Sequence, residues 1–155
     1  MKRKTIERLE IVLVKEKTKE YAPQISSSKD VFEIAKRAIW TNGMPIVEEF
    51  WALLLNTKNR LIGKSLISRG SIAECPVVPA DVFRPVITFA ASSLVIIHNH
   101  PSGDTKPSPE DRALTARLRR AGHLLGIRLL DHCIVGKTGY YSFRDDGQFN
   151  EDFKI

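Results

Sequence analysis

Apolar positions along the chain recur with the two periods that distinguish strands from helices. RLEIVLV at 8–14 predicts a strand. EEFWALLLN at 48–56 predicts a second strand, which turns at TKNR and pairs with RLIGKSLISRG at 60–70 as a hairpin. LVII at 94–97 is apolar throughout, which is typical of a strand covered on both faces. Two later apolar stretches complete the predicted sheet: IRLLDHCIVG at 127–136 and GYYSF at 139–143.

Helical periodicity separates these strands. A first helix is expected to be capped by Ser27 or Ser28, because the apolar residues that follow keep the i, i+3, i+4, i+7, i+8 spacing. Those residues are Val31, Ile34, Ala35, Ala38 and Ile39. A shorter helix is predicted near 79–91, where Pro85 should kink or delay the helical turn.

The longest predicted helix runs from Pro109 to Leu125 and is closed by Gly126 at a C-cap position. Together, the strands and the helices that can cover both faces of a sheet predict an α/β fold with a mixed sheet. The chain shows no internal repeat and no low-complexity tract.

Length and composition narrow the class of protein. The 155 residues suffice for one domain, and 43% hydrophobic and 27% charged residues are usual for a globular protein. No apolar run approaches the ~18 residues that a membrane span needs, and no apolar segment follows the basic N-terminus as in a secretory signal. The two cysteines, Cys75 and Cys133, lie far apart in the sequence without a partner motif, which favours a reducing compartment. A cytoplasmic protein is therefore expected.

The net charge of +6 permits nucleic acid as a partner. Four arginines share the long predicted helix and could contact phosphates: Arg112, Arg117, Arg119 and Arg120. However, the basic residues form no long run and are not interleaved with aromatic residues, so a solvated basic surface is the favoured interpretation.

The chemistry of the chain concentrates in HNHPSGDTKPSPED at 98–111. His98 and His100 are two residues apart at the carboxyl end of a predicted strand, so both side chains leave the same face of the sheet, while Asn99 points to the other. Two imidazoles on one face supply half of a tetrahedral metal site, and histidine is a common zinc ligand.

Ser108 and Asp111 allow two interpretations. Ser-x-x-Asp ahead of an apolar helix is a capping signature. Asp111 also lies only about 60° from the centre of the buried stripe of the helix, so its carboxylate should point toward the sheet that carries the histidines. An inward carboxylate is costly unless it is paired or binds a metal.

The motif H-x-H-x7-S-x2-D in this stretch resembles that of the JAB/MPN (JAMM) metallohydrolases. With LLLNTKNRLIG, HNHPSG, LDHCIVG and YYSF, residues 28–146 resemble the RadC-type branch of that family. The resemblance implies a single JAB/MPN domain with a cytidine-deaminase-like fold. The sequence outside it predicts a strand and polar connector at 1–27 and a loose tail at 147–155. The chain departs from the branch at Val78 and Ala80, where relatives commonly carry His and Arg.

The resemblance implies that His98, His100 and Asp111 bind a zinc ion whose fourth position is left for water. It further implies that Ser108 steadies a developing oxyanion and that an upstream glutamate hydrogen-bonds to the water. Glu48 and Glu49 are the candidates, and they face opposite ways on a strand. Relatives place the glutamate two residues before an apolar or aromatic strand residue, so Glu48, ahead of Phe50, is favoured.

This set of groups suits hydrolysis of an amide, including an isopeptide bond, in a peptide or protein substrate. The alternative is a DNA-associated module, because RadC-type proteins carry a DNA-repair label. A metal-free interaction module would require a broken motif. A homo-oligomer is compatible with the sequence. For Asp131 and His132, a buried structural pair is favoured over a role in orienting a metal ligand.

Overall fold

The computed structural model of the chain describes residues 11–12, 23–70 and 77–149. Within them the elements follow in the order β1 (Ile11–Val12), α1 (Ser28–Ile34), β2 (Glu49–Leu55), β3 (Leu61–Arg69), α2 (Pro79–Thr88), β4 (Ser93–Asn99), α3 (Pro109–Leu125), β5 (Arg128–Val135) and β6 (Tyr140–Ser142). One π-helical turn at Ala35–Ile39 continues α1. The remainder of the predicted strand at 8–14, Cys75 and the end of the predicted tail lie outside the described residues.

The strands form one mixed sheet in the order β1-β3-β2-β4-β5-β6, which confirms the predicted α/β class. β2 and β3 pair as the predicted antiparallel hairpin. β4 lies between β2, to which it is antiparallel, and β5, to which it is parallel. The two-residue β1 adds to the outer edge of β3.

Helices cover both faces of this sheet. Apolar side chains of α2 and α3 pack on the face that carries Phe50, Leu54 and Ile96. Residues of α1 pack on the opposite face, which carries Leu53 and Ile97. Because β4 is central, all seven of its residues are buried, as its apolar run predicts. The two polar residues at its carboxyl end are therefore held in a rigid, water-poor environment.

The helix ends follow their sequence signals. Ser27 caps α1 in a capping box with Asp30, and Gly126 ends α3 with a positive φ of 68°, which glycine adopts at little cost. α2 continues through Pro85, whose side chain is buried, and ends at Thr88, before the predicted limit of 91. The chain then leaves the helix through Ala90, whose φ is 49°.

The start of the predicted C-terminal tail is held against α3. A guanidinium nitrogen of Arg119 donates to the carbonyl oxygen of Gln148 at 2.7 Å. The same guanidinium lies 4.6 Å from the centre of the Phe149 ring, which packs on the core. Among the described residues, no helix combines the length and the apolar character needed to cross a membrane.

Candidate metal centre

The carboxyl end of β4 and the first turn of α3 bring together the three predicted ligands, and we call this group the candidate metal centre. One potential ligand atom from each of His98, His100 and Asp111 lies within 4.8 Å of the others. Nε2 of His98 is 3.0 Å from Nε2 of His100 and 3.3 Å from Oδ1 of Asp111. Nε2 of His100 is 3.5 Å from Oδ2 of Asp111. Three side chains that are up to 13 residues apart in sequence thus converge on one point, as the motif predicts.

Asn99, between the two histidines, points to the opposite face of the sheet, as expected for a strand. Its Oδ1 accepts the backbone N–H of Glu49 at 2.7 Å. Its Nδ2 donates to the carbonyl oxygens of Val47 at 2.9 Å and Pro45 at 3.3 Å. One side chain therefore fixes the segment that enters β2 against the end of β4.

Both interpretations of the Ser-x-x-Asp signature hold at once. The hydroxyl of Ser108 accepts the backbone N–H of Asp111 at 3.0 Å, and Asp111 Oδ2 accepts the backbone N–H of Ser108 at 2.8 Å, which closes a capping box on α3. The Ser108 hydroxyl also donates to Asp111 Oδ2 at 2.8 Å. The same carboxylate is 2% exposed and faces the two histidines. The cap also orients the carboxylate, because the hydroxyl and the backbone N–H of Ser108 both donate to Asp111 Oδ2.

The hydrogen bonds behind the rings decide which ring nitrogens are free. Nδ1 of His100 lies 2.7 Å from the carbonyl oxygen of Asp104, so it must carry a hydrogen and donate it. Nδ1 of His98 lies 2.9 Å from Nε2 of His132. His132 is fully buried, and burial keeps its pKa well below the usual value and its ring neutral.

A cation fits this arrangement. Two imidazole Nε2 atoms and a carboxylate face one another in a site with little access to water, and lone pairs in such contact repel unless a positive charge lies between them. A proton can serve: the hydrogen bond to Asp111 raises the pKa of His100 against the effect of burial. Burial alone would raise the pKa of Asp111, but the neighbouring His100 and His98 rings and the backbone N–H of Ser108 lower it well below its usual range. Two nitrogens and one carboxylate are also a ligand set that zinc accepts.

The two candidate glutamates lie on opposite faces, and only Glu48 lies on the face of the metal centre. Phe50 pairs directly with His98 across β2 and β4, and the two rings stack with centroids 5.7 Å apart. Glu48 precedes Phe50 by two residues and is half-buried, and its negative charge contributes to the raised pKa of His100.

Glu49 has a different environment. Its Oε2 accepts the indole N–H of Trp40 at 2.8 Å and that of Trp51 at 3.0 Å, and its Oε1 is 3.4 Å from Nε of Arg69. These partners lie away from the metal centre. The carboxylate of Glu49 is therefore occupied by structural contacts, and Glu48 remains the candidate for proton transfer.

For Asp131 and His132 the sequence favours a buried structural pair over a role in orienting a metal ligand. In the structure, Asp131 has the structural environment, whereas His132 lies beside a candidate ligand. Asp131 accepts hydrogen bonds from Ser142 Oγ at 2.7 Å and from the backbone N–H of Arg144 at 3.0 Å, which joins β5 to the turn after β6. His132, on the other face, contacts the ligand His98.

Two residues near the centre carry no sequence motif and were not predicted. Thr115 bonds both to Asp111 and to His132, and its only signal is a polar residue four positions after Asp111 on the buried face of α3. Gly136 lies against the loop that follows His100: a Cβ on it would be 2.4 Å from the carbonyl oxygen of Gly103.

Most of the arginines of α3 have partners within the chain. Arg117 donates to the carbonyl oxygen of Val77 at 2.5 Å, and Arg119 binds the C-terminal segment as described above. The guanidinium of Arg112 lies 5.9 Å from the centre of the Phe143 ring. Three of the four predicted phosphate-binding candidates thus have partners within the chain, and the cluster adds no support for nucleic-acid binding.

Known proteins show the same domain. The sequence profile of the family described as "RadC-like JAB domain" matches residues 25–148. A UPF0758 protein of Syntrophotalea carbinolica is 51% identical over 100 residues, which cover 64% of this chain and 44% of the relative. A UPF0758 protein of Flavobacterium johnsoniae is 42% identical over 126 residues, covering 81% of this chain and 54% of the relative. One of Shouchella clausii is 42% identical over 136 residues, covering 88% and 58%.

The chain thus spans about half the length of the curated relatives that it matches. The matched region contains the whole candidate metal centre, because the family profile extends from 25 to 148. The names of these relatives state no reaction.

Proposed function

The chain belongs to the RadC-like JAB domain family, and from this premise we propose that it is a zinc-dependent hydrolase of the JAMM type that cleaves a peptide or isopeptide bond. The observation that carries the proposal is the convergence of His98, His100 and Asp111 on one point, with Glu48 on the same face of the sheet. A metal-free interaction module would have no need for these three buried or half-buried groups to converge on one point.

In this proposal His98 and His100 hold the ion through Nε2 and Asp111 through its carboxylate. Bound zinc would supply Lewis-acid chemistry, polarising a carbonyl oxygen and lowering the pKa of water to about 7. Zinc is proposed rather than another divalent ion because two imidazoles and one carboxylate are a common catalytic zinc set.

Glu48 would accept a proton from the attacking water and return it to the leaving amine, which is the usual task of a carboxylate in amide hydrolysis. Its half-buried position next to the ligands suits that role. Ser108 would stabilise the oxyanion with its hydroxyl hydrogen, which the structure now directs to Asp111 Oδ2. That role therefore requires the hydroxyl to rotate by the time the oxyanion forms.

The test begins with elemental analysis of the purified protein, followed by a screen of peptide and lysine-linked isopeptide substrates. Glu48→Gln should retain zinc and lose about 100-fold or more in turnover, since a positioned proton-transfer group contributes at least that much. Glu49→Gln is the matched control: it makes the same chemical change one residue later, so it should keep turnover while lowering thermal stability through the weakened indole contacts.

Two outcomes would contradict the proposal. A Glu48→Gln variant with undiminished turnover would remove Glu48 from the mechanism. Zinc-loaded protein that cleaves neither substrate class would contradict the hydrolase itself.

A further inference from the structure

We propose that Thr115 and His132 are positioning residues that fix the ring hydrogen of His98 on Nδ1 and so leave its Nε2 free for the metal. The inference rests on the proposed metal-dependent function, since it assigns these residues to the same centre. The family resemblance assigns the three metal ligands, whereas this inference assigns a role to two residues that contact those ligands.

Thr115 has one hydroxyl hydrogen. Its Oγ1 donates that hydrogen to the backbone carbonyl oxygen of Asp111 at 2.6 Å. Its second contact, 2.6 Å from Nδ1 of His132, must therefore be one in which the hydroxyl accepts. Nδ1 of His132 carries the hydrogen, and in the neutral ring Nε2 is then an acceptor.

The hydrogen position of His132 in turn determines that of His98. Nε2 of His132 lies 2.9 Å from Nδ1 of His98 and has only a lone pair to offer, so Nδ1 of His98 must donate. Nε2 of His98 is then left without a hydrogen. That atom is the one that faces His100 and Asp111.

Packing prevents His132 from rearranging. Its side chain is 0% exposed, and its ring stacks on Phe143 with an angle of 7° between the planes and centroids 5.0 Å apart. The edge of Phe50 meets it at 70°. A flipped ring would present carbon atoms to Thr115 and His98 and leave both contacts unmade. Ring orientation and ring hydrogen are therefore both determined by fixed neighbours.

This series of hydrogen bonds starts and ends at residues of the candidate metal centre. It begins at the backbone carbonyl of the ligand Asp111 on α3 and ends at the ligand His98 on β4. Without the Thr115 hydroxyl, nothing would require the hydrogen of His132 to stay on Nδ1. The hydrogen could move to Nε2, and His98 would then carry its own on Nε2, where it blocks a cation. Partners of this kind behind metal-bound histidines affect metal affinity by about 10- to 100-fold.

The experiment uses the whole chain with its histidine rings labelled with ¹⁵N, free of metal, at about pH 8, where an ordinary histidine is neutral. Long-range ¹H–¹⁵N correlation spectra report which nitrogen of each ring carries the hydrogen. Four histidines keep the spectrum simple to assign. Zinc affinity is measured in parallel by chelator competition.

Thr115→Val removes the hydroxyl and keeps the shape of the side chain, and Thr115→Ser keeps the hydroxyl. We expect His98 to carry its hydrogen on Nδ1 in the unaltered protein and in Thr115→Ser. In Thr115→Val the hydrogen should shift to Nε2 in part of the molecules, and the zinc Kd should rise roughly 10- to 100-fold. His132→Gln restores an acceptor for His98 and should keep its hydrogen on Nδ1, whereas His132→Leu should not.

Two results would overturn the inference: a His98 hydrogen on Nε2 in the unaltered protein, or Thr115→Val with an unchanged spectrum and unchanged zinc affinity. Neither measurement uses hydrolysis. A failed substrate search would therefore count against the proposed function and leave the positioning role intact. An intact circular dichroism spectrum checks that each variant folds.

Discussion

Asp111 illustrates how few residues specify the centre. Its carboxylate closes the capping box of α3 and faces two histidines, while its carbonyl oxygen accepts from Thr115. Each of these contacts alone is an ordinary feature of a folded protein. Because the first two contacts meet in one carboxylate, a substitution at Asp111 would disturb the helix start and the candidate metal centre together.

Cys133, on the other face of β5, gives a prediction at the same scale. It is fully buried, and burial, together with the neighbouring Asp131, raises the pKa of its thiol well above the usual value. The native thiol should therefore resist alkylation at about pH 8–9, where a free cysteine ionises. Peptide mapping after brief iodoacetamide treatment should find Cys133 modified only in denatured protein, and rapid modification of native protein would contradict its assigned environment.

The raised pKa of the Cys133 thiol also affects stability. Since the folded thiol keeps its proton while the unfolded one loses it, the contribution of Cys133 to the free energy of unfolding should decline as pH rises above about 8.5.

The sequence predicts some residues of the centre better than others. His98, His100 and Asp111 are recognisable because spacing on a strand and on a helix fixes the direction of each side chain. Thr115 is not, because its role depends on His132, which β5 brings beside α3 only in the folded sheet. For His132 the sequence favoured a structural pair with Asp131, because alternation along a strand gives the face of a residue and not its neighbour on another element.

At the scale of elements, close backbone contact positions the loop after β4. Gly136 follows β5, and a Cβ there would meet the carbonyl oxygen of Gly103 at 2.4 Å and the side chain of Thr105 at 2.7 Å. Gly136→Ala should therefore displace the loop that orients His100, weaken zinc binding and cost about 1–3 kcal/mol of stability. Gly139→Ala is the control, since its Cβ would have no atom within 4 Å. Equal zinc affinity of the two variants, measured by chelator competition, would show that the loop does not depend on this contact.

Element types and most boundaries follow from local signals. The predicted α3 agrees with the observed Pro109–Leu125 because a capping box and a C-terminal glycine mark both ends. α2 ends three residues before the predicted limit, since no such signal marks its end and the chain turns at Ala90. The tail predicted to be loose at 147–155 is held by Arg119 at its first residues. Local sequence does not reveal these contacts, because Arg119 lies in another part of the chain.

For the whole molecule, metal binding and folding should be linked, because the ligands come from β4 and α3 and meet only in the folded state. Zinc at about 100 times its Kd should add about 2.7 kcal/mol of stability, which corresponds to a rise in Tm of roughly 5–10 °C for a domain of this size. Differential scanning calorimetry with and without zinc checks the shift. His98→Ala and His100→Ala should fold and show no shift, and an equal rise in those variants would place the zinc elsewhere.

The side chain of Asn99 has a consequence for which glutamate can face the candidate metal centre. A slip of one residue in the pairing of β2 with β4 would exchange the two faces of β2 and bring Glu49, rather than Glu48, toward the histidines. Three hydrogen bonds oppose such a slip: Asn99 donates to the carbonyl oxygens of Pro45 and Val47 and accepts the backbone N–H of Glu49. The residue between His98 and His100 thus determines which of two adjacent, chemically identical acids lies on the face of the candidate metal centre.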